Sequence, residues 1–391
     1  MKAQSARIHG LDTLRSLAIL GVIVFHLRGY GAAGTLPDWL LPIAQFGWMG
    51  VDLFFVLSGY LIGSQLLRPY RKGERASVWQ FYRNRFYRIL PAYLTVLALY
   101  LLIPAWREEL HLAPLWEFFT FTLNLFINYP YAAAFSHAWS LCVEEHFYLI
   151  LPLLVLVMMR RPSLRKTVVV IACLVSFGVA VRAFILFHWL QPMSRADGPT
   201  GLFYLTHIYY PTYSRLDGLI AGVTLALIRS FRPRWWQALA QRGNAATLAG
   251  MAFVAMAVWL SIDRFESFTG RGAWGTVFAY PVLAVGFAFL TASAMSANGL
   301  LSRIKMPGAE LIATLAYSLY LTQKEMIHLT DEWFPGLANY GRWAWLAAYA
   351  LCCLAVAGAL HLCVERPFLL LRDRKRGPDP ATEAASDPLP Q

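Results

Sequence analysis

Gly10-Leu-Asp-Thr-Leu-Arg15-Ser-Leu-Ala-Ile-Leu-Gly-Val-Ile-Val-Phe-His26 sets ten apolar or small residues between an arginine and a histidine. Wound as a helix rising 1.5 Å per residue, the stretch separates Arg15 from His26 by about 16 Å along its axis. That is about half the ~30 Å thickness of a bilayer's hydrocarbon core, so each group sits toward a different membrane face. Polar groups at such depth are costly unless they face the protein interior or water, which makes both functional candidates. The pair points to chemistry that starts on one side of a membrane and ends on the other.

The composition of the rest agrees with a lipid setting. Of 391 residues, 58% are hydrophobic and 14% charged, against about 25% charged in soluble domains. Mean hydropathy is +0.48. Apolar stretches of spanning length recur at 11–28, 47–67, 89–104, 139–159, 167–189, 214–230, 245–262, 275–294, 309–328 and 343–365. The expected fold is therefore all-α: a bundle of about ten transmembrane helices in a multi-pass protein of the inner (plasma) membrane. Residues 115–127 are too short to span and read as a re-entrant or interfacial helix.

Basic residues orient the bundle. With both termini cytoplasmic, 24 Lys and Arg fall on the cytoplasmic side and six on the outer side, as the positive-inside rule requires. Counting 115–127 as a span would invert everything after it and destroy the bias. A net charge of +12 spread over loops in this way is a topology signal and a lipid-headgroup contact, with no single face for nucleic acid. Trp and Tyr near the span ends read as interfacial belts. The five cysteines, Cys142, Cys173, Cys352, Cys353 and Cys363, fall within spans without metal-ligand spacing, so free, buried thiols and no metal site are expected. Asp12 and Arg15 break the charge order of a cleavable signal peptide, so the first span is expected to be retained. Residues 8–370 read as one membrane domain and 371–391 as a cytoplasmic tail, Pro-rich and disordered.

Several groups could carry chemistry. His26 is either an anchor at the membrane interface or a general base. Glu144 and Glu145 enter the fourth span from the same outer face. Either one, bonded to one imidazole nitrogen, would leave the other nitrogen free to take a proton; otherwise the pair answers a helix dipole. Asp12 and Arg15 form an i,i+3 ion pair, or Arg15 binds a phosphate-bearing donor. Arg85 and Arg88 share a face if their segment is helical, as a topology signal or a phosphate clamp. Ser58 and Gly59 are a small-residue packing contact or a passage for a thin chain, and Asp52 is a further acid. Arg215 and Asp217, two apart, do not share a helix face and must seek other partners, either across helices or on an acceptor.

Taken in order, the motifs resemble the acyltransferase-3 family of membrane proteins. Those motifs are Gly10-Leu-Asp-Thr-Leu-Arg15 with His26, Gly50-Val-Asp-Leu-Phe-Phe-Val-Leu-Ser-Gly-Tyr-Leu-Ile62, Arg85-x-x-Arg88-Ile-Leu-Pro91, Trp139-Ser-Leu-x-Val-Glu-Glu-x-Phe-Tyr148, Arg215-Leu-Asp-Gly218, Tyr317-Ser-Leu-Tyr-Leu321 and Glu365-Arg-Pro-Phe368. The resemblance implies transfer of an acyl group, usually acetyl, from cytoplasmic acyl-CoA to a hydroxyl of an envelope glycan or glycoside. O-antigen, exopolysaccharide and peptidoglycan all stay open as acceptors. It further implies His26 as the catalytic residue and Arg15 in the donor site; the reading of the residues adds Glu144 or Glu145 beside His26, and Asp12, Ser58, Gly59, Arg85 and Arg88 around the donor. Asp52, Arg215 and Asp217 would then meet the acceptor. Acyl-CoA is a donor substrate here, not a resident cofactor.

Two departures qualify the resemblance. The family often carries a histidine shortly after Tyr-Ser-Leu-Tyr-Leu, where this chain has Thr322-Gln323-Lys324. Some relatives also carry a fused extracytoplasmic domain that completes the transfer, so a separate transfer protein is a candidate partner here. The competing function is a transporter or flippase for an envelope precursor, which predicts inverted repeats and matching broken helices.

Overall fold

The computed structural model describes residues 9–31, 35–128, 131, 133–196, 199–262 and 268–374. The described residues form helices with no strand, and the chain is an all-α integral membrane protein. In hydrocarbon each backbone polar group needs a partner within its own segment, which a helix supplies.

The principal helices are α1 (His9–Tyr30), α2 (Met49–Arg71), α3 (Val78–Leu102), α4 (Trp139–Arg160), α5 (Leu164–Ile185), α6 (Asp217–Phe231), α7 (Gly243–Ser261), α8 (Gly270–Ala294), α9 (Ala309–Thr322), α10 (Glu325–Trp333), α11 (Arg342–Leu360) and α12 (Arg366–Arg374). Among the described residues eight helical stretches are long and apolar enough to cross a membrane. All ten apolar stretches of the sequence are helical, but two are not full-length spans. The stretch 214–230 becomes α6, whose 15 residues rise only about 22 Å. The stretch 309–328 breaks at Gln323-Lys324 into α9 and α10. Residues 115–127 form two short helices, Leu115–Phe119 and Leu123–Phe126, too short to span. Helix α12 runs on to Arg374; the rest of the expected tail, and residues 1–8, lie outside the described residues.

Ser77 starts α3 by accepting a hydrogen bond from the Gln80 backbone N–H at 3.2 Å. This N-cap opens the helix eleven residues before the apolar run, so Arg83, Arg85 and Arg88 are helical. Helix α5 buries only Gly178, Arg182 and Ile185; Val168, Val169, Phe177 and Phe184 are exposed, on the side that hydrocarbon covers. Of the five unpaired cysteines, Cys142 and Cys353 are buried, whereas Cys173 and Cys363 are exposed. The expectation of buried thiols fails for those two, which stand on outward faces of their helices.

Close backbone approach holds the centre, because apolar burial gives helices little reason to associate in lipid. A Cβ on Gly59 would lie 2.2 Å from the Leu219 carbonyl oxygen, and one on Gly222 would lie 2.2 Å from that of Val56. Gly59 is therefore a contact between α2 and α6. Its expected place in a donor passage is corrected: the space its missing side chain leaves is filled by α6.

Two buried ion pairs reinforce the contact. Asp52 on α2 accepts from Arg215 Nη2 at 3.0 and 3.1 Å. Asp217 on α6 accepts from Arg182 of α5 at 2.7 and 3.2 Å, while Arg182 also donates to the Ser214 and Val277 carbonyls. Arg215 lies 4.0 Å from the centre of the Tyr280 ring and 4.7 Å from that of Tyr209. The expectation that Asp52, Arg215 and Asp217 meet an acceptor is corrected accordingly. Each is buried, and the two-residue spacing of Arg215 and Asp217 sends them to different helices.

Two stability changes follow. Gly222→Ala forces a methyl group against the backbone of α2 and destabilises by about 1–3 kcal/mol. Asp52→Ala leaves Arg215 buried without its counter-charge and costs more, about 3–5 kcal/mol. Thermal unfolding in detergent micelles checks both. A melting temperature unchanged by either substitution would show that the α2–α6 contact does not hold the bundle.

Candidate active site

Two cavities lie end to end along α1. The larger, about 410 Å³, is lined by Arg15 of α1, Ser58 and Gln65 of α2, Arg85 and Arg88 of α3, Ser140, Glu144 and Tyr148 of α4, Tyr317 and Tyr320 of α9, and Arg372 of α12. The second, about 290 Å³, is lined by Phe25, His26 and Tyr30 of α1, Trp48, His137, Trp139, Tyr209 and Tyr210, Tyr320 and Lys324. Val51 and Tyr320 line both and form the wall between them. The axial spacing of Arg15 and His26 in the sequence thus becomes one residue in each cavity.

The first cavity is basic. Arg85 and Arg88, three residues apart on one helix face, both reach it. Arg85 donates to Gln65 Oε1 at 3.1 Å, and its Nε has no partner among the described residues. Arg88 pairs with Glu365, which also accepts from Ser318 at 3.0 Å and meets His361 at 2.9 Å. Glu144 accepts from the Tyr148 hydroxyl at 2.6 Å and is hydrogen-bonded to Ser58. Four guanidinium groups and one carboxylate line this cavity, which suits phosphate groups. Asp12 is buried one turn before Arg15 and does not line the cavity.

The second cavity is aromatic and holds the two histidines. The His26 and His137 rings stand edge to face, 6.3 Å between centres. His137 Nε2 is 3.4 Å from the Leu321 carbonyl and 3.7 Å from Glu325, and its Nδ1 has no partner among the described residues. Lys324 sits 3.1 Å from Glu108 and donates to Ser136 at 3.1 Å. The Tyr100 hydroxyl stands between Glu108 and Glu325, 2.7 Å from Glu108 and hydrogen-bonded to Glu325. Arg215 stacks against Tyr209 and Trp139 from behind and so braces the aromatic wall.

Neither glutamate reaches His26, which corrects the expected pairing. Helix α4 begins beside the second cavity at His137 and Trp139. Seven residues beyond His137, at Glu144, it has descended about 10 Å into the first cavity. Glu145 faces the same region: Glu144 and Arg85 are its charged neighbours. The partner of His26 is instead the Gln323 side-chain amide, 2.5 Å from Nδ1. Gln323 sits at the break between α9 and α10, where its backbone carbonyl accepts from the Tyr349 hydroxyl at 3.0 Å.

The sequence assigned no role to Gln323, His137, Lys324, Tyr320 or Glu108. Lys324 carried a signal, as an ionisable residue inside an apolar stretch, and His137 stands two residues before the motif that starts at Trp139. Gln323 stands in the Thr322-Gln323-Lys324 stretch where the family often carries a histidine, and Glu108 lies in a loop.

The wall itself is tied. Tyr320 donates to the His137 carbonyl at 2.7 Å, and Ser140 lies 2.6 Å from the same hydroxyl. With the tyrosine proton committed to the carbonyl, Ser140 is the donor.

Comparison with known proteins gives this geometry a family. Residues 8–362 match the acyltransferase-3 family, described as an acyltransferase domain. The O-acetyltransferase OatA of Staphylococcus aureus is 25% identical over 351 residues, covering 83% of this chain and 51% of that protein. The peptidoglycan O-acetyltransferase OatA of Listeria monocytogenes is 28% identical over 345 residues, covering 83% of this chain and 50% of that protein. The putative peptidoglycan O-acetyltransferase YrhL of Bacillus subtilis is 28% identical over 378 residues, covering 92% of this chain and 55% of that protein. The chain spans about half the length of these relatives. No solved structure matches it. Matched over residues 8–362, nearly its whole length, the chain belongs to the acyltransferase-3 family.

Proposed function

We propose that the protein is an O-acetyltransferase of the inner membrane, taking acetyl from cytoplasmic acetyl-CoA to a hydroxyl of an envelope glycan. The observation that carries this is the pair of cavities. A basic one suited to phosphate abuts an aromatic one holding an imidazole, and a single wall of Val51 and Tyr320 divides them. The bias of Lys and Arg toward the loops at the Arg15 end supports a cytoplasmic side there.

The CoA phosphates bind Arg15, Arg85 and Arg372, with Arg88 held beside them by Glu365, and the pantetheine arm runs along Ser58 toward Tyr320. Ring faces of Trp48, Trp139, Tyr209 and Tyr210 offer the apolar side of a sugar a stacking surface. The names of the relatives, among them the peptidoglycan O-acetyltransferase OatA of Listeria monocytogenes, support a glycan as acceptor class. A separate extracytoplasmic partner is the alternative recipient.

His26 takes the hydroxyl proton as the acceptor oxygen attacks the thioester carbon. The new C–O bond forms, the C–S bond breaks, and the proton passes from the imidazolium to the departing thiolate. A thioester is already activated, so positioning and a base supply what the reaction needs.

Protein in lipid nanodiscs, given radiolabelled acetyl-CoA and an envelope glycan extract, tests this. Wild type labels the glycan, and His26→Ala lowers the rate by about 10²–10⁴-fold while the protein stays folded. Arg85→Ala, losing a charge-assisted contact, raises KM for acetyl-CoA about tenfold. Glycan labelling by folded His26→Ala at the wild-type rate would overturn the role of His26. Acetyl-CoA neither bound nor consumed by wild type would overturn the donor.

A further inference from the structure

The basic cavity holds one acid among its arginines. Ser140, Glu144 and Tyr148 follow one another at four-residue spacing along one face of α4, and all three line that cavity. Ser140 lies at the wall, 2.6 Å from the Tyr320 hydroxyl. Tyr148 lies at the arginine end, where the Arg85 guanidinium stands 6.0 Å from its ring centre. Glu144 is therefore between the two, about 6 Å from either along the helix axis.

No guanidinium uses up this carboxylate. Tyr148 donates to it at 2.6 Å, and Ser58 of α2 is hydrogen-bonded to it. Arg85 donates instead to Gln65, and Arg88 pairs with Glu365. Glu144 is only half-buried. An ionised carboxylate accepts hydrogen bonds at about four lone-pair sites and donates none, so two hydroxyls leave it acceptor capacity toward the cavity. Like charge repels a phosphate at this height, whereas a neutral N–H is held.

We infer that Glu144 reads the amide of the donor's pantetheine arm that lies nearest the sulfur, its carboxylate accepting from that N–H. This rests on the proposed binding of acetyl-CoA in this cavity. Such a donor has a thioester at one end and phosphates toward the other. The arm between them offers two amide N–H groups and, beyond both, a hydroxyl. With the thioester at the wall and the phosphates on the arginines, the middle of the cavity belongs to the arm. The first amide nitrogen is two methylenes from sulfur, which suits an acid one helical turn from the wall. The hydroxyl lies farther off, toward the arginines. Held at this N–H, the arm places its thioester at the wall that the cavities share. The contact also selects the donor, because a thioester without an N–H at that spacing leaves the carboxylate short of a partner.

Isothermal titration of the protein in nanodiscs tests this with two probes: acetyl-CoA, and its analogue carrying an ester oxygen in place of the amide nitrogen nearest sulfur. The analogue keeps every phosphate and loses a single N–H. Wild type is expected to bind acetyl-CoA about ten- to hundredfold more tightly than the analogue. Glu144→Leu binds both with the same, weakened Kd, and Glu144→Gln, whose amide oxygen still accepts, keeps part of the preference. A purely structural tie of α4 to α2 would lower the melting temperature of Glu144→Leu and leave the ratio of the two Kd values untouched. The full preference retained in Glu144→Leu, or in Glu144→Gln where the leucine variant does not fold, would overturn the assignment. Equal binding of both donors by wild type would overturn it alone, whereas acetyl-CoA unbound by wild type would reject the donor reading and the assignment with it.

Discussion

Arg182 and Arg215 carry full charges where hydrocarbon surrounds the bundle, and the helix arrangement at the centre answers that constraint. A buried cation left without its counter-charge is strongly destabilising. Arg182 therefore draws α5 onto Asp217 of α6, and Arg215 draws the start of α6 onto Asp52 of α2. The close approach of α2 and α6 through Gly59 and Gly222 is compatible only with this register. With α2 fixed, Val51 and Ser58 come to face the cavities on its other side. Arg215 also underlies Tyr209 and Trp139, so the ion pair shapes the aromatic cavity without entering it.

A second set of pairs does for the basic cavity what the first does for the core. Glu365 gathers Arg88 from α3, Ser318 from α9 and His361. Tyr317 of α9 donates to the Ile89 carbonyl of α3 at 2.8 Å. Three motifs far apart in the chain, around Arg88, Tyr317 and Glu365, thus meet at one junction. One of its arginines is neutralised by this structural role, while Arg15, Arg85 and Arg372 also line the cavity.

What the sequence disclosed follows the same physics. Helices were legible because some twenty consecutive apolar residues match the hydrocarbon thickness only when wound as a helix. The depths of Arg15 and His26 were legible because both lie on one straight helix. Depth across helices was not. Glu144 and His26 share an outer-side entry in the chain, but only the height at which α4 packs puts one in each cavity. Gly59 beside Ser58 looked like a passage, and only the position of α6 reveals which of the two adjacent residues faces space. The break at Gln323-Lys324 was hidden for a related reason. No proline or glycine marks it, and the carbonyls of Gln323 and Leu321 meet Tyr349 and His137 from elsewhere in the bundle. Irregular backbone at membrane depth persists only where protein or a water-filled cavity takes up its polar groups.

In the proposed reaction the thioester and the hydroxyl meet at the one boundary the cavities share. Tyr320 is held there by two hydrogen bonds, to the His137 carbonyl and from Ser140, and Phe54 stands edge to face with its ring. Two such bonds are worth about 1–3 kcal/mol together. The binding energy of a phosphate-bearing donor on several arginines readily exceeds that. Displacing the tyrosine is therefore within the means of the donor itself, whereas an empty donor cavity leaves the wall closed.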